Sequence, residues 1–213
     1  MTTEAVDVPE SWPVHATEDV WSGRAPFSVR RDTVSAPRRP EERFDRLVVQ
    51  HPGAVVVLAV DRQERALVLH QYRHPARMRF VELPAGLLDL EGEDPLVAAQ
   101  RELREEALLM AEEWTHLLTS YPSPGLSGER IETYLATGLT AAPDRGADFE
   151  PAHEEADMTL SWVPVEELVT GVLERRLTDG PLALAVTTYA MTRGRHQDHS
   201  RDPSRPPGHS GDS

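Results

Sequence analysis

Cysteine is absent from the 213 residues, and so is lysine, which leaves arginine to supply all 22 basic side chains. Without thiols the chain can form no disulfide, no thiolate nucleophile and no soft sulfur metal site. Without lysine, a clamp on a phosphate has to be a guanidinium, which grips oxyanions through two parallel hydrogen bonds. Positive charge is scarce as well, with a net charge of -14 and an isoelectric point near 5.0. Such a balance argues against nucleic acid or an anionic membrane as partner, because both need clustered cations. No apolar run approaches the roughly 20 residues of a membrane span. The opening MTTEAVDVPESW lacks the basic-then-apolar plan of a secretory signal. The expected compartment is the cytoplasm.

What is present suits one catalytic domain with appendages. Residues 1–16 carry proline and acidic residues without a period and read as an irregular arm. Residues 17–50 read as N-terminal strands. Within them 17–35 alternates as one or two strands, with Phe27 and Val29 on a ribbon beside Arg30 and Arg31, and SAPRRPEE at 35–42 reads as a turn before a strand at 44–50. Residues 51–192 form the expected catalytic domain. Its segments 54–61 and 66–72 are rich in valine and leucine, and GAVVVLAV is apolar throughout, as a strand buried on both faces would be. Further strands are expected at 114–121, 131–137 and 159–163, with helices at 165–173 and 181–191. Residues 193–213 hold almost no apolar side chain and are expected to be disordered.

The densest chemistry lies between Glu82 and Leu109, ELPAGLLDLEGEDPLVAAQRELREEALL. Asp94 is a good helix N-cap and Pro95 a good first helical residue, so a helix is expected from there, with Leu96, Leu103 and Ala107 toward the core. On that helix Glu102 and Glu106 stand four residues apart, one turn above another on the same face. Like charges so placed repel, so the face is either solvated or built around a cation. A hard ion such as Mg²⁺ fits best, since it takes oxygen ligands and shares its shell with phosphates.

This segment resembles the signature box of the Nudix hydrolases. That box runs glycine, a five-residue gap, glutamate, a seven-residue gap, and then Arg-Glu-apolar-x-Glu-Glu-x-Gly-apolar. Here Gly86, Glu93, Arg101, Glu102, Glu105 and Glu106 take those places. The gap after Gly86 is one residue longer, and Leu108 stands where the family has glycine. A leucine takes the left-handed exit conformation at roughly 1 kcal/mol or more, so the helix is expected to run on slightly or to end in a different turn. The resemblance implies an α/β/α sandwich with a mixed central sheet, here with an N-terminal β-ribbon. It also implies hydrolysis of a nucleoside diphosphate linked to another group, with Mg²⁺, or Mn²⁺ in its place.

Flanking residues narrow the resemblance to the ADP-ribose pyrophosphatases: Gln71-Tyr72-Arg73-His74, the run ELPAGLLD, Pro124 within SPGLSGE, and HEEADM at 153–158. The likeness spans about Phe27 to Met191. It implies Glu102, Glu105, Glu106 and the Ala85 carbonyl as metal ligands, and Glu155 as catalytic base with Glu154 as fallback. Arg73, Glu82, Pro124 and Glu129 are implied to face substrate. The subgroup is homodimeric by exchange of N-terminal strands, which places Phe27 against adenine. Each flank has a duller reading as a turn, a hydrophilic loop or a surface salt bridge. Two other functions stay open: hydrolysis of GDP-mannose or a UDP-sugar, and non-catalytic sensing of ADP-ribose.

Overall fold

The computed structural model describes residues 5–23, 26–144 and 157–200, which fall into two units. The first comprises the chain to Gly53 together with Ser123–Arg130. Its body is an antiparallel meander of β1 (Val14–Ser22), β2 (Ser28–Ala36) and β3 (Arg39–Gln50). Facing side chains bind across it: Arg31 to Glu18 at 2.8 Å, Thr17 to Asp32 at 2.8 Å and Thr33 to Asp45 at 2.8 Å. The irregular arm is shorter than expected, because Val14 already pairs with Val34 and the Ser35 amide donates to the Pro13 carbonyl. The turn before β3 is tighter too. Strand pairing resumes at Arg39, and Pro40 is tolerated because β3 is an edge strand. Segment 123–130 joins this unit where the Val49 amide donates to the Leu126 carbonyl at 2.9 Å.

The second unit holds β4 (Ala54–Ala59), β5 (Arg65–Arg73), β6 (Met78–Glu82), β7 (Ala85–Leu87), α1 (Pro95–Ala107), β8 (Leu109–Ser120), β9 (Ile131–Ala141), β10 (Thr159–Pro164), α2 (Val165–Leu173) and α3 (Gly180–Ser200). A mixed sheet in the order β7-β4-β9-β8 pairs β4 parallel to β9. A second, antiparallel sheet runs β10-β5-β6. Strand β4 explains why its sequence lacks any polar alternation. Val55, Val57 and Ala59 pack with Ala98, Ala99 and Leu103 of α1, while Val56, Leu58 and Val60 pack with Leu168 of α2 and Leu182 and Val186 of α3. Helices thus cover both faces, the α/β/α layering expected. Among the described residues no helix is long and apolar enough to cross a membrane.

Two expectations need correction. Helix α3 continues to Ser200, so the disorder expected over 193–213 does not hold for its first eight residues; residues 201–213 lie outside the described residues. Once a helix is nucleated each added residue gains a backbone bond, and no proline intervenes before Pro203. Helix α1 does not run on past the box, nor does it end in a different turn. Leu108 itself takes the left-handed conformation, φ 54° and ψ 38°, with its amide on the carbonyls of Arg104 and Leu103. Satisfying those terminal carbonyls outweighs the strain on its Cβ.

Candidate active site

Short strand β7 brings the site together. Gly86 pairs with Val55 of β4 and lies under α1. A Cβ there would sit 1.9 Å from Oε1 of Glu102 and 2.0 Å from its Cδ, so the glycine is required by the carboxylate above it. One turn further along, Glu106 Oε2 accepts the Ala85 amide at 3.0 Å. Both glutamates are buried. The box spacing therefore lays two carboxylates flat on one strand, where an isolated charge would be strongly disfavoured.

Arg101 balances the first of them. Its Nη1 donates to Glu102 at 2.6 Å and to Glu105 at 3.1 Å, while Nε and Nη2 fork onto both oxygens of Glu93, each at 3.1 Å. The hydrogen bonds to Glu93, with the charge of Glu102 behind them, push its pKa well above the usual arginine range. The extra residue ahead of the helix is absorbed in a turn in which the Glu93 amide donates to Leu90 and Gly92 takes φ 77°. Glu93 consequently still reaches Arg101.

The loop's other flank carries a second pair. Arg73 holds the buried Glu82 with Nε at 3.0 and 3.1 Å and Nη2 at 2.7 Å. That bond, joined by the charges of Asp179 and Glu106, raises the arginine pKa against the opposing effect of burial. Asp179, which lies outside every motif of the sequence, caps α3 by accepting the Leu182 amide at 2.8 Å. Burial, aided by Glu82, pushes its carboxyl up to about 6, against the Leu182 amide and Arg73. An Asp two residues before a proline at a helix start signals a cap, but nothing local ties it to Arg73.

Of the residues singled out from sequence, the fold brings together Ala85, Glu102, Glu105 and Glu106, and separately Arg73 with Glu82. Phe27, Pro124 and Glu129 belong to the first unit. There the Phe27 ring lies 5.5 Å from that of Trp21, and the Glu129 carboxylate is 3.9 Å from His51 Nδ1. Glu154 and Glu155 lie outside the described residues. Among the described residues no three acidic or imidazole side chains converge as they would on an ion. In part this is because Glu102 and Glu105 turn to Arg101, and Glu106 to the Ala85 amide. The donors available are nonetheless all oxygen, the set a hard cation takes.

Residues 49–182 match the NUDIX domain family. An ADP-ribose pyrophosphatase of Mycobacterium tuberculosis (strain ATCC 25618 / H37Rv) is 40% identical over 177 residues, 83% of this chain and 83% of that protein. A methanol dehydrogenase activator of Bacillus methanolicus is 34% identical, over 80% of this chain and 88% of its own. An ADP-ribose pyrophosphatase of Bacillus subtilis (strain 168) is 31% identical with the same coverage, 80% and 88%. A solved ADP compounds hydrolase superposes with a TM-score of 0.66 over 92% of this chain and 100% of that one, at 19% identity, a likeness of fold.

Proposed function

This chain belongs to the NUDIX domain family, whose hydrolases generally depend on a divalent metal, and from that premise we propose that it hydrolyses the pyrophosphate bond of ADP-ribose to AMP and ribose 5-phosphate. The observation that carries the reading is the seating of Glu102 and Glu106 on β7, over a glycine that no other residue could replace without moving a carboxylate. The substrate is supported by the two relatives named ADP-ribose pyrophosphatase.

Glu102, Glu105, Glu106 and the carbonyl of Ala85 would hold the metal, Mg²⁺ by preference and Mn²⁺ as a substitute. When bound, it supplies positive charge to the phosphoryl oxygens and makes the attacking water more acidic. Everything else falls to the chain. Arg101 lets Glu102 and Glu105 turn away while Glu93 keeps the far edge of its guanidinium. Glu155 takes the proton from water, with Glu154 next in line. Arg73, oriented by the buried Glu82, meets a phosphate or the terminal ribose. Glu129 and Pro124 shape the substrate's surroundings, and Phe27 stacks on adenine.

The same reading includes a homodimer with exchanged N-terminal strands. It is supported by β1, exposed along its whole length in the single chain, and by the open apolar side chains of Trp12, Val14, Val20, Trp21 and Phe27. A second copy would cover such an edge.

The substrate is tested by phosphate release in a coupled assay with alkaline phosphatase, comparing ADP-ribose, GDP-mannose and UDP-glucose. ADP-ribose should lead in kcat/KM by at least about tenfold. Preference for either of the others ends the assignment.

A further inference from the structure

Outside the box, strands β8 and β9 bury a carboxylate that the mechanism above does not use. Glu132 is 4% exposed, and its Oε2 accepts from His116 Nε2 at 2.7 Å and from the Thr119 hydroxyl at 2.6 Å. A buried carboxylate costs several kcal/mol unless paired, and an apolar residue in such a place is often at least as stabilising. Its location is informative. Thr119 pairs with Glu132, Glu132 with Val55, and Val55 with Gly86, so the four side-chain positions form one row across the sheet. Residues paired across a sheet share a face. Here it is the face under α1, where Val55 packs with Leu103 and Gly86 meets Glu102. Two strand spacings, about 10 Å, separate Gly86 from Glu132. His116 stands one strand further on, on β8, so about 14 Å separate its strand from that of Gly86, within the length of an extended nucleoside diphosphate sugar.

The ring of His116 is 48% exposed and stands edge-on to Tyr134. Nε2 is the nitrogen engaged by Glu132. The other nitrogen, Nδ1, makes no hydrogen bond among the described residues. A ribose hydroxyl, which both donates and accepts, can bond that nitrogen whichever role the ring gives it.

We propose that His116, held in place by Glu132, is a substrate-binding residue whose Nδ1 makes a hydrogen bond with a ribose hydroxyl of the nucleoside diphosphate sugar. Glu132 is then a positioning residue, acting through the ring. The proposal rests on the reading of this chain as a nucleoside diphosphate hydrolase. Two riboses could supply the hydroxyl, and the test separates them.

Steady-state kinetics are measured for wild type, His116→Ala, His116→Gln and Glu132→Gln. The glutamine at 116 keeps a donor for Glu132 and lacks the Nδ1 atom. Substrates are ADP-ribose and two analogues, one lacking the 2′- and 3′-hydroxyls of adenosine and one lacking those of the terminal ribose. Both His116 variants should raise KM for ADP-ribose roughly fivefold to tenfold, as loss of one hydrogen bond implies, with kcat within about twofold. On the analogue missing the bonded hydroxyl they should match wild type. Glu132→Gln should raise KM about threefold. A KM unchanged in both His116 variants, a KM raised equally on all three substrates, or a fall confined to kcat overturns the proposal. The wild-type rate on ADP-ribose tests the substrate assignment separately. If another nucleoside diphosphate sugar is the one turned over, the same comparison is made with its deoxy analogues.

Discussion

Gly86 and Glu102 share one small space: a methyl group on the glycine would lie 1.9 Å from the glutamate's Oε1. The glycine is needed for room, since its backbone is in ordinary strand pairing with Val55. Gly86→Ala should therefore act on catalysis by displacing Glu102, more than on folding. Its kcat should fall by at least about tenfold while the thermal midpoint drops by only a few degrees, the shift that roughly 1 kcal/mol gives in a domain of this size. Metal titration of the variant should show weakened affinity. An alanine variant with normal kcat and metal affinity would show that Glu102 is not needed where it lies.

The two buried glutamates and the base differ in what they should do to metal binding. Glu102→Gln and Glu106→Gln should each lower kcat by orders of magnitude and weaken the metal together, since each removes a charged oxygen donor. Glu155→Gln should lower kcat comparably and leave metal affinity near wild type. Isothermal titration with Mn²⁺ beside the kinetics separates the two classes. If Glu155→Gln is near wild type and Glu154→Gln is inactive, the base is the neighbouring residue.

Legibility followed sequence distance. Helix α1 could be read because its signals are local: Asp94 accepts from Leu96 two residues on, Pro95 opens the helix, and the Glu102–Glu106 spacing is a property of one turn. Strand β4 could be read because burial on both faces removes alternation. The partners of the charges could be read less well. Arg101 meets Glu102 and Glu105 on its own helix, which the spacing allows, and it also holds Glu93 across the loop, which the spacing alone does not show. The Glu132–His116 pair depends on strand register, and the coupling of Asp179 to Arg73 depends on where α3 starts, neither of which is written in local pattern. Leu108 takes the left-handed exit against its propensity because its amide satisfies two terminal carbonyls, a compensation that residue type alone does not show.

The dimer makes a separate prediction from the same exposed strand. Light scattering on a size-exclusion column should give about twice the mass of one chain. Trp21→Asp, which puts a charge at a 45% exposed aromatic on β1, should shift the protein toward monomer and raise KM with it. A wild type that elutes as monomer at micromolar concentration removes strand exchange from the reading.

At the end of the box helix, Leu108 holds φ 54° where glycine would rest without strain. Leu108→Gly relieves about 1 kcal/mol of that strain but gives up some apolar contact and adds freedom to the unfolded chain. The side chain is partly exposed, so the first effect should win narrowly. Denaturant unfolding should place the variant within about 1 kcal/mol of wild type on the stabilising side, with kcat and KM unchanged because Leu108 is not among the residues proposed to hold metal or substrate. A variant less stable by more than that would mean the leucine side chain packs more productively than its exposure suggests.

Asp179 gives the pH dependence. Its folded-state carboxyl titrates at about 6, raised chiefly by burial, whereas in the unfolded chain an Asp titrates near 3.9. The native state thus binds this proton more tightly. The contribution to stability is fully present below about pH 4 and is lost as pH rises to about 6. Above that, the ionised group sits half-buried near Glu82, offset in part by Arg73 and the Leu182 amide. Asp179→Asn keeps an oxygen to cap Leu182 and cannot ionise. Relative to wild type it should be equally stable at pH 4 and more stable at pH 7.5, by about 1 to 2 kcal/mol. Chemical denaturation at the two pH values measures that difference directly. If the variant loses stability on going to the higher pH relative to wild type, Arg73 is attracting the Asp179 charge more than burial opposes it, and the sign of the shift is the reverse.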